Sequence, residues 1–283
     1  MYDRIETEQD WQESLGILEH ATNVFRSLPE LPEIRKGSVL SVEDTHTARV
    51  PISTQVVAAY GRASDALEAM IDGMVDETNQ RIVARPFAQY ALLRMACEAA
   101  ALAMWLIKPS KKARRVYRSL CLEKVHAEDA INLIRTIERR RSESVQRAEE
   151  GHVRLLERLD ELKNSVPQLR EMELGRLPRW TDILTDVSRT RAPGAGHSVA
   201  SPVVVWRIAS AFVHGSSTTV RQLSDIEILG DLGDGVSAAA IRPSWRMLAG
   251  SFGACVDLLA EVNARYAELA THDYQGSEVV VQG

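Results

Sequence analysis

Cysteine is scarce in this chain. Cys97, Cys121 and Cys255 are three thiols among 283 residues, odd in number, far apart and without a CxxC spacing. That pattern excludes a disulfide framework and a thiolate zinc site, and predicts reduced thiols in a cytoplasmic protein. Excess positive charge is also lacking: the net charge is −5, so any contact with nucleic acid must rest on a local patch. Long apolar runs are missing. The most apolar segment, Ala99 to Ile107, is bounded by Glu98 and Lys108 and is too short to cross a bilayer, so no membrane association is expected. The start, MYDRIETEQDW, has no apolar centre of the kind a signal peptide needs. There is no GxGxxG after a strand, no Walker loop, no HExxH and no GxSxG. His46, His126, His152, His197 and His272 are scattered. No metal and no cofactor is therefore expected. The strand–helix alternation of a doubly wound sheet is absent as well.

What is present is helical periodicity. The composition, 45% apolar and 26% charged, is that of an ordinary globular protein long enough for one large or two modest domains. Trp11, Leu15, Leu18, Thr22 and Phe25 recur at helical steps, and Pro29 and Pro32 end that helix. Residues 33–52 have no period and read as a connector. Ser53 or Thr54 then caps a helix whose stripe is Val56, Tyr60, Ala63, Leu67, Met70 and Met74. From Phe87 to Ile107 the pattern is apolar nearly all round, as in a central bundle helix. Residues 119–165 read as helical, marked by Leu133, Ile137, Val145, Ala148, Leu155, Leu159 and Leu162. One unbroken helix there would reach roughly 70 Å, so either it projects as an arm or Gly151 marks a break or bend, the second being the preferred reading. Residues 179–189 are expected to form a short helix, Ala192 to Gly196 a loop, and 223–241 a two-stranded hairpin with a turn between Gly230 and Gly235. Pro243 opens a last helix carrying Met247, Phe252, Val256, Leu259 and Tyr266.

The segment SPVVVWRIASAFVHGSS, residues 201–217, is mostly apolar yet carries Arg207, Ser210 and His214 on one stripe. A spacing of seven is about two turns, so Arg207 and His214 lie nearly one above the other. Ser210 sits between them, four residues before the histidine. Ser201-Pro202 reads as an N-cap with a first-turn proline, and Gly215 as a stop. Two readings stand on these residues: a polar site on an apolar helix, or a hydrogen-bonded core histidine with Arg207 as a structural ion-pair partner.

Arg207 and His214, with six residues between them, resemble the R-x4-6-H motif of the HEPN superfamily. The resemblance implies an all-helical fold over about residues 53–270. It implies metal-independent cleavage of RNA at a site shared by two subunits. His214 would assist acid–base chemistry at a ribose 2′-hydroxyl, and Arg207 would hold the phosphate. Both roles suit the groups: imidazole titrates near neutrality, and guanidinium grips phosphate oxygens bidentately. The position after the arginine, polar in many active members, is Ile208 here.

Arg94 and Glu98 are charges on an apolar helix, four apart, and are expected to pair. They form either a structural salt bridge or a support that lets Glu98 orient Arg207 or His214 across the bundle. The run KPSKKARRVYR holds Lys108, Lys111, Lys112, Arg114, Arg115 and Arg118 and no acid. It is a candidate phosphate-contacting patch, with Arg139-Arg140-Arg141 as a second, or else a solvated face or a partner-pairing surface.

The expected architecture is a predominantly α-helical bundle with one small β-hairpin. The expected division is an N-terminal helix (1–32), a linker (33–52), the bundle (53–270) and a flexible tail (271–283). The expected function is a HEPN-like ribonuclease or RNA-binding protein with a stress or defence role. A second copy of the chain is its expected partner, with RNA and a cognate antitoxin or other partner protein as candidates. The competing class is a non-catalytic helical module for dimerisation or partner binding. A third is small-ligand binding in a pocket above Glu98 and His214.

Overall fold

A computed structural model describes residues 6–76, 78, 81–138, 143–188, 201–234 and 236–274. Over these the chain is predominantly α-helical. In order the elements are α1 (Glu8–Arg26), α2 (Val39–Asp44), α3 (Ile52–Met74), β1 (Val75–Asp76), β2 (Arg81–Ile82), α4 (Pro86–Ile107), α5 (Lys112–Ile137), α6 (Glu143–Asn164), α7 (Trp180–Ser188), α8 (Pro202–Val213), α9 (Ser217–Gln222), β3 (Ser224–Gly233), β4 (Val236–Pro243) and α10 (Trp245–Thr271). The chain divides into two compact units, each drawing on α3, α4 and α10. These helices have 23, 22 and 27 residues, enough length to contribute side chains to both. By length and composition α4 and α10 could cross a membrane, but 72% of the apolar window of each is buried within the protein.

One unit comprises Met1–Glu30, Ala59–Met104 and Trp180–Asn263. Its core holds the stripe read from the sequence, with Ala63, Leu67, Met70 and Met74 of α3 buried together with Leu93, Phe212, Phe252 and Leu259. Tyr90 stacks on Phe212 at 4.1 Å, and Phe87 meets the same ring edge-on at 6.1 Å. Helix α1 begins with a capping box between Thr7 and Asp10. Trp11 stacks on Trp245 at 5.4 Å. The Glu6 carboxylate accepts the backbone N–H groups of Trp245 and Arg246 at 2.9 and 3.0 Å, which places negative charge at the start of α10. Pro243 therefore ends β4 and does not open α10; Ser244 caps that helix, its hydroxyl accepting from the Met247 N–H at 3.2 Å.

The expected hairpin is present and longer than its pattern indicated. Strands β3 and β4 are antiparallel, with Ile226 opposite Ile241 and Gly233 opposite Val236. Register shifts after Ile228 and Asp231 absorb the extra residues, and the turn lies at Gly233 and Asp234, both at positive φ. Ile226, Ile228, Leu229 and Leu232 are exposed. A second small hairpin, β1 with β2, links α3 to α4 and had no sequence signal. The expected loop at Ala192–Gly196 lies outside the described residues.

The other unit comprises Leu31–Ala58, Trp105–Arg179 and Ala264–Gly283. Here α6 packs on α5. The break between them falls at Glu138, whose backbone is extended, and not at Gly151, which lies inside α6. A helical glycine costs about 1 kcal/mol and is tolerated where neighbours bury the helix. Val145, Leu155, Leu159 and Leu162 are buried, whereas Leu133 and Ile137 face solvent. Arg139-Arg140-Arg141 lie outside the described residues.

The expected connector at 33–52 is structured. Ser38 caps α2, accepting from the Ser41 N–H at 3.2 Å, and Leu40 and Glu43 are fully buried. Glu43 is the partner of Arg115, whose Nε donates to its two oxygens at 3.1 and 2.9 Å. An Nη of Arg115 donates to the Ser110 carbonyl at 2.9 Å, and a further bond reaches the Pro109 carbonyl. Burial pushes the Glu43 carboxyl above its ordinary range, against the opposing pull of the Arg115 hydrogen bond and charge. Helix α3 is capped from this same segment. Asp44 accepts the Ser53 N–H at 3.2 Å and the Ser53 hydroxyl at 2.6 Å, and Thr47 Oγ1 accepts the Ile52 N–H at 3.2 Å. Ser53 and Thr54 thus lie inside α3 and do not cap it. At the C-terminal end of α10, Val39 N–H donates to the His272 carbonyl at 3.1 Å and Tyr274 N–H to that of Gly37 at 3.0 Å. Residues 275–283 lie outside those described.

Glu43 and Asp44 each carry a prediction. Glu43→Ala strands a buried guanidinium and should lower the unfolding free energy by about 3–5 kcal/mol in denaturant titration. The double variant Glu43→Met with Arg115→Met should recover most of that loss, and an unchanged midpoint for Glu43→Ala would remove the pair from the account. Burial also raises the Asp44 carboxyl above its ordinary range, against its bonds from Ser53. The protonated form is therefore favoured by the fold. That contribution is complete below the unfolded-state carboxylate range and is lost as pH rises through the folded-state value. Stability of wild type relative to Asp44→Asn should fall over that interval, and parallel stability–pH curves would contradict it.

Candidate functional site

Helix α8 starts as its sequence predicts, with Ser201 at the N-cap and Pro202 in the first turn. Val205, Ile208, Ala209 and Phe212 face the core. Arg207 is exposed on the opposite side. The helix closes at His214, whose N–H donates to the Ser210 carbonyl at 2.9 Å. Gly215 follows at φ +66°, donating to the Phe212 carbonyl at 3.1 Å, and Ser216 N–H reaches back to that of Ala211 at 2.9 Å. These paired bonds are a Schellman closure, which needs a residue in the left-handed region at Gly215.

His214 is exposed, so it is not a core histidine. Its ring is held from α4: an Arg94 Nη lies 3.1 Å from His214 Nε2. Arg94 Nε donates to Glu98 Oε1 at 3.0 Å, and the same oxygen accepts the Trp206 indole N–H at 2.6 Å. The Arg94 guanidinium carbon lies 5.6 Å from the centre of the Trp206 ring. The Arg94–Glu98 pair is thus real but is not sealed in the core, since its side chains keep 24% and 22% of their surface. Helices α4 and α8 also meet where the Cys97 thiol donates to the Pro202 carbonyl at 3.4 Å.

Structure and expectation diverge at three places. Ser210 does not share the face of the other two: its hydroxyl is buried and has no hydrogen-bond partner among the described residues. Glu98 does not touch His214; Arg94 does, and Glu98 holds Arg94. Trp206 was missed, although an indole N–H on an apolar helix seeks an acceptor when it is partly buried, and Glu98 had oxygen to offer. Arg207 has no hydrogen-bond or ion-pair partner among the described residues.

The basic run belongs to the other unit and is smaller than its sequence indicates. Arg115 and Arg118 are buried, the first on Glu43 and the second over the Trp105 ring at 4.6 Å with a bond to the Trp105 carbonyl. They lie three apart on α5, on its inward face, where guanidinium groups can be buried if every donor finds an oxygen or a ring. Lys112 is half-buried over the Tyr274 ring at 5.0 Å, leaving Lys111 and Arg114 exposed. In that same unit a depression of about 470 Å³ is lined by Asn132, Arg135, Thr136, Val145 and Glu149, with Arg135 and Glu149 paired at 2.9 Å. No three His, Cys, Asp or Glu side chains converge as a metal site among the described residues. Compared with known proteins, the chain matches no family model, no curated protein and no solved structure.

The site thus presents a guanidinium and a tethered imidazole at the surface of one helix. Its backbone geometry gives a direct test. Gly215→Ala forces a Cβ into the left-handed region and should cost about 1–2 kcal/mol in thermal or chemical unfolding. Gly215→Asn should cost less. Equal stability of all three proteins would show that the Schellman closure is not formed.

Proposed function

We propose that the exposed face of α8 carrying Arg207 and His214 is a phosphate-contacting RNA site, and that the protein is a HEPN-like ribonuclease or RNA-binding protein of the cytoplasm. The observation that carries this reading is that both groups reach solvent from one helix while the imidazole is tethered by Arg94. Arg207 supplies a bidentate grip on phosphate oxygens. His214 supplies the group that exchanges a proton with a ribose 2′-hydroxyl. Lys111 and Arg114 of the other unit are exposed positive charges, a phosphate-contacting patch considered by itself. A second copy of the chain completes the site, as the resemblance implies, and a cognate antitoxin is the regulatory partner to look for. The second reading is a non-cleaving module of the same fold. It is favoured by Ile208, which is buried where many active HEPN enzymes carry a polar group.

The purified protein should cut single-stranded RNA in the presence of EDTA. His214→Ala and Arg207→Ala should each abolish cleavage with melting temperatures unchanged, since both side chains are exposed. Arg207→Lys should restore little, because a point charge does not reproduce the fork. RNA binding without cleavage supports the second reading, and Ile208→Asn then tests whether a polar neighbour restores activity. Wild type that neither binds nor cuts RNA refutes both.

A further inference from the structure

A guanidinium has five N–H donors and no acceptor. The Arg94 Nη lies 3.1 Å from His214 Nε2, so that ring nitrogen must offer a lone pair. Nε2 then carries no proton, and in the neutral ring the proton sits on Nδ1. Free histidine prefers the other tautomer, with the proton on Nε2. The arrangement is held from both sides. Arg94 cannot easily turn away, because its Nε is bonded to Glu98 at 3.0 Å and Glu98 is itself fixed by the Trp206 indole at 2.6 Å. His214 cannot easily slide, because its backbone is the cap of α8 and the next two residues close that helix.

We infer that Arg94 is a positioning residue for His214, fixing the tautomer of the neutral ring with its proton on Nδ1, so that the ring meets its ligand as a hydrogen-bond donor. With Arg207 on the same helix face, the site is then made of donors alone, which suits the non-bridging oxygens of a phosphodiester. The ligand rests on the RNA reading above; the tautomer does not. One chemical consequence concerns the 2′-hydroxyl. The ring has no free lone pair to accept its proton while Arg94 is bound, so base chemistry requires this contact to open first.

The test uses the full chain labelled with ¹⁵N at histidine, read by two-bond proton–nitrogen correlation at a pH where the ring is neutral. His214→Gln identifies the signals. Wild type should show a protonated Nδ1 and an unprotonated Nε2. Arg94→Met should reverse the pattern, changing the tautomer ratio about tenfold or more, the scale of one hydrogen bond to a charged donor. Arg94→Lys, which keeps a cationic donor, should retain much of the wild-type pattern. Glu98→Gln, which loosens Arg94 without removing it, should move the ratio the same way as Arg94→Met and by less. It also serves if Arg94→Met fails to fold. A wild-type ring protonated on Nε2, or a ratio that none of these changes moves, overturns the inference; so does a fall in melting temperature with the tautomer unmoved. RNA binding is scored separately on the same proteins. An intact Nδ1–H pattern in a protein that ignores RNA refutes the proposed function and leaves the positioning role standing. A reversed pattern in a protein that binds RNA does the opposite.

Discussion

Burying α4 is possible only if Arg94 and Glu98 keep each other and some contact with water. The helix is otherwise apolar, and an isolated charge inside it would cost several kcal/mol. The two side chains pair at 3.0 Å and keep roughly a quarter of their surface. That requirement determines which side of α4 faces the core and which lies at the rim. It also decides what its neighbour α8 can present there. Trp206 finds its acceptor in Glu98 and His214 its donor in Arg94, so the second helix is fitted to the polar notch of the first.

The same physics acts in the other unit with a different outcome. Arg115 and Glu43 are almost fully buried, at 4% and 0% of side-chain surface, and the fold surrounds them with carbonyl oxygens. A short helix and a tight turn are thereby drawn from a segment with no apolar period. That segment in turn caps α3 through Asp44 and Thr47. One buried pair thus converts an unpatterned stretch into structure on which a long helix begins.

Periodic apolar residues made most of the helices legible: the stripes of α3 and α10 and the dense pattern of α4 are buried much as their spacing requires. The hairpin was legible too, because Asp225 to Leu229 alternates. What escaped was set by partners distant in sequence. Glu43 has no signal of its own, because its reason is Arg115, 72 positions away. Arg115 and Arg118 looked like surface charge because a linear run does not say which side of a helix each residue takes. At the site, Arg207 and His214 were legible from spacing and Arg94 with Glu98 from their isolation among apolar neighbours. The link between the pairs was not, since it depends on how α4 and α8 cross. Ser210 was misplaced for a related reason. It sits three residues after Arg207 and four before His214, close in rotation to both, yet its hydroxyl is on the buried side.

The position of His214 is set by main chain: a left-handed glycine and two backward hydrogen bonds hold its Cα, and no side chain is needed for that. Val213, Thr218 and the exposed residues of the adjoining hairpin are free of this duty. The backbone thus sets where the imidazole starts, and Arg94 sets which way the ring turns. Anchoring and orientation of the ring are in this way separable, the first carried by main chain and the second by a side chain of α4.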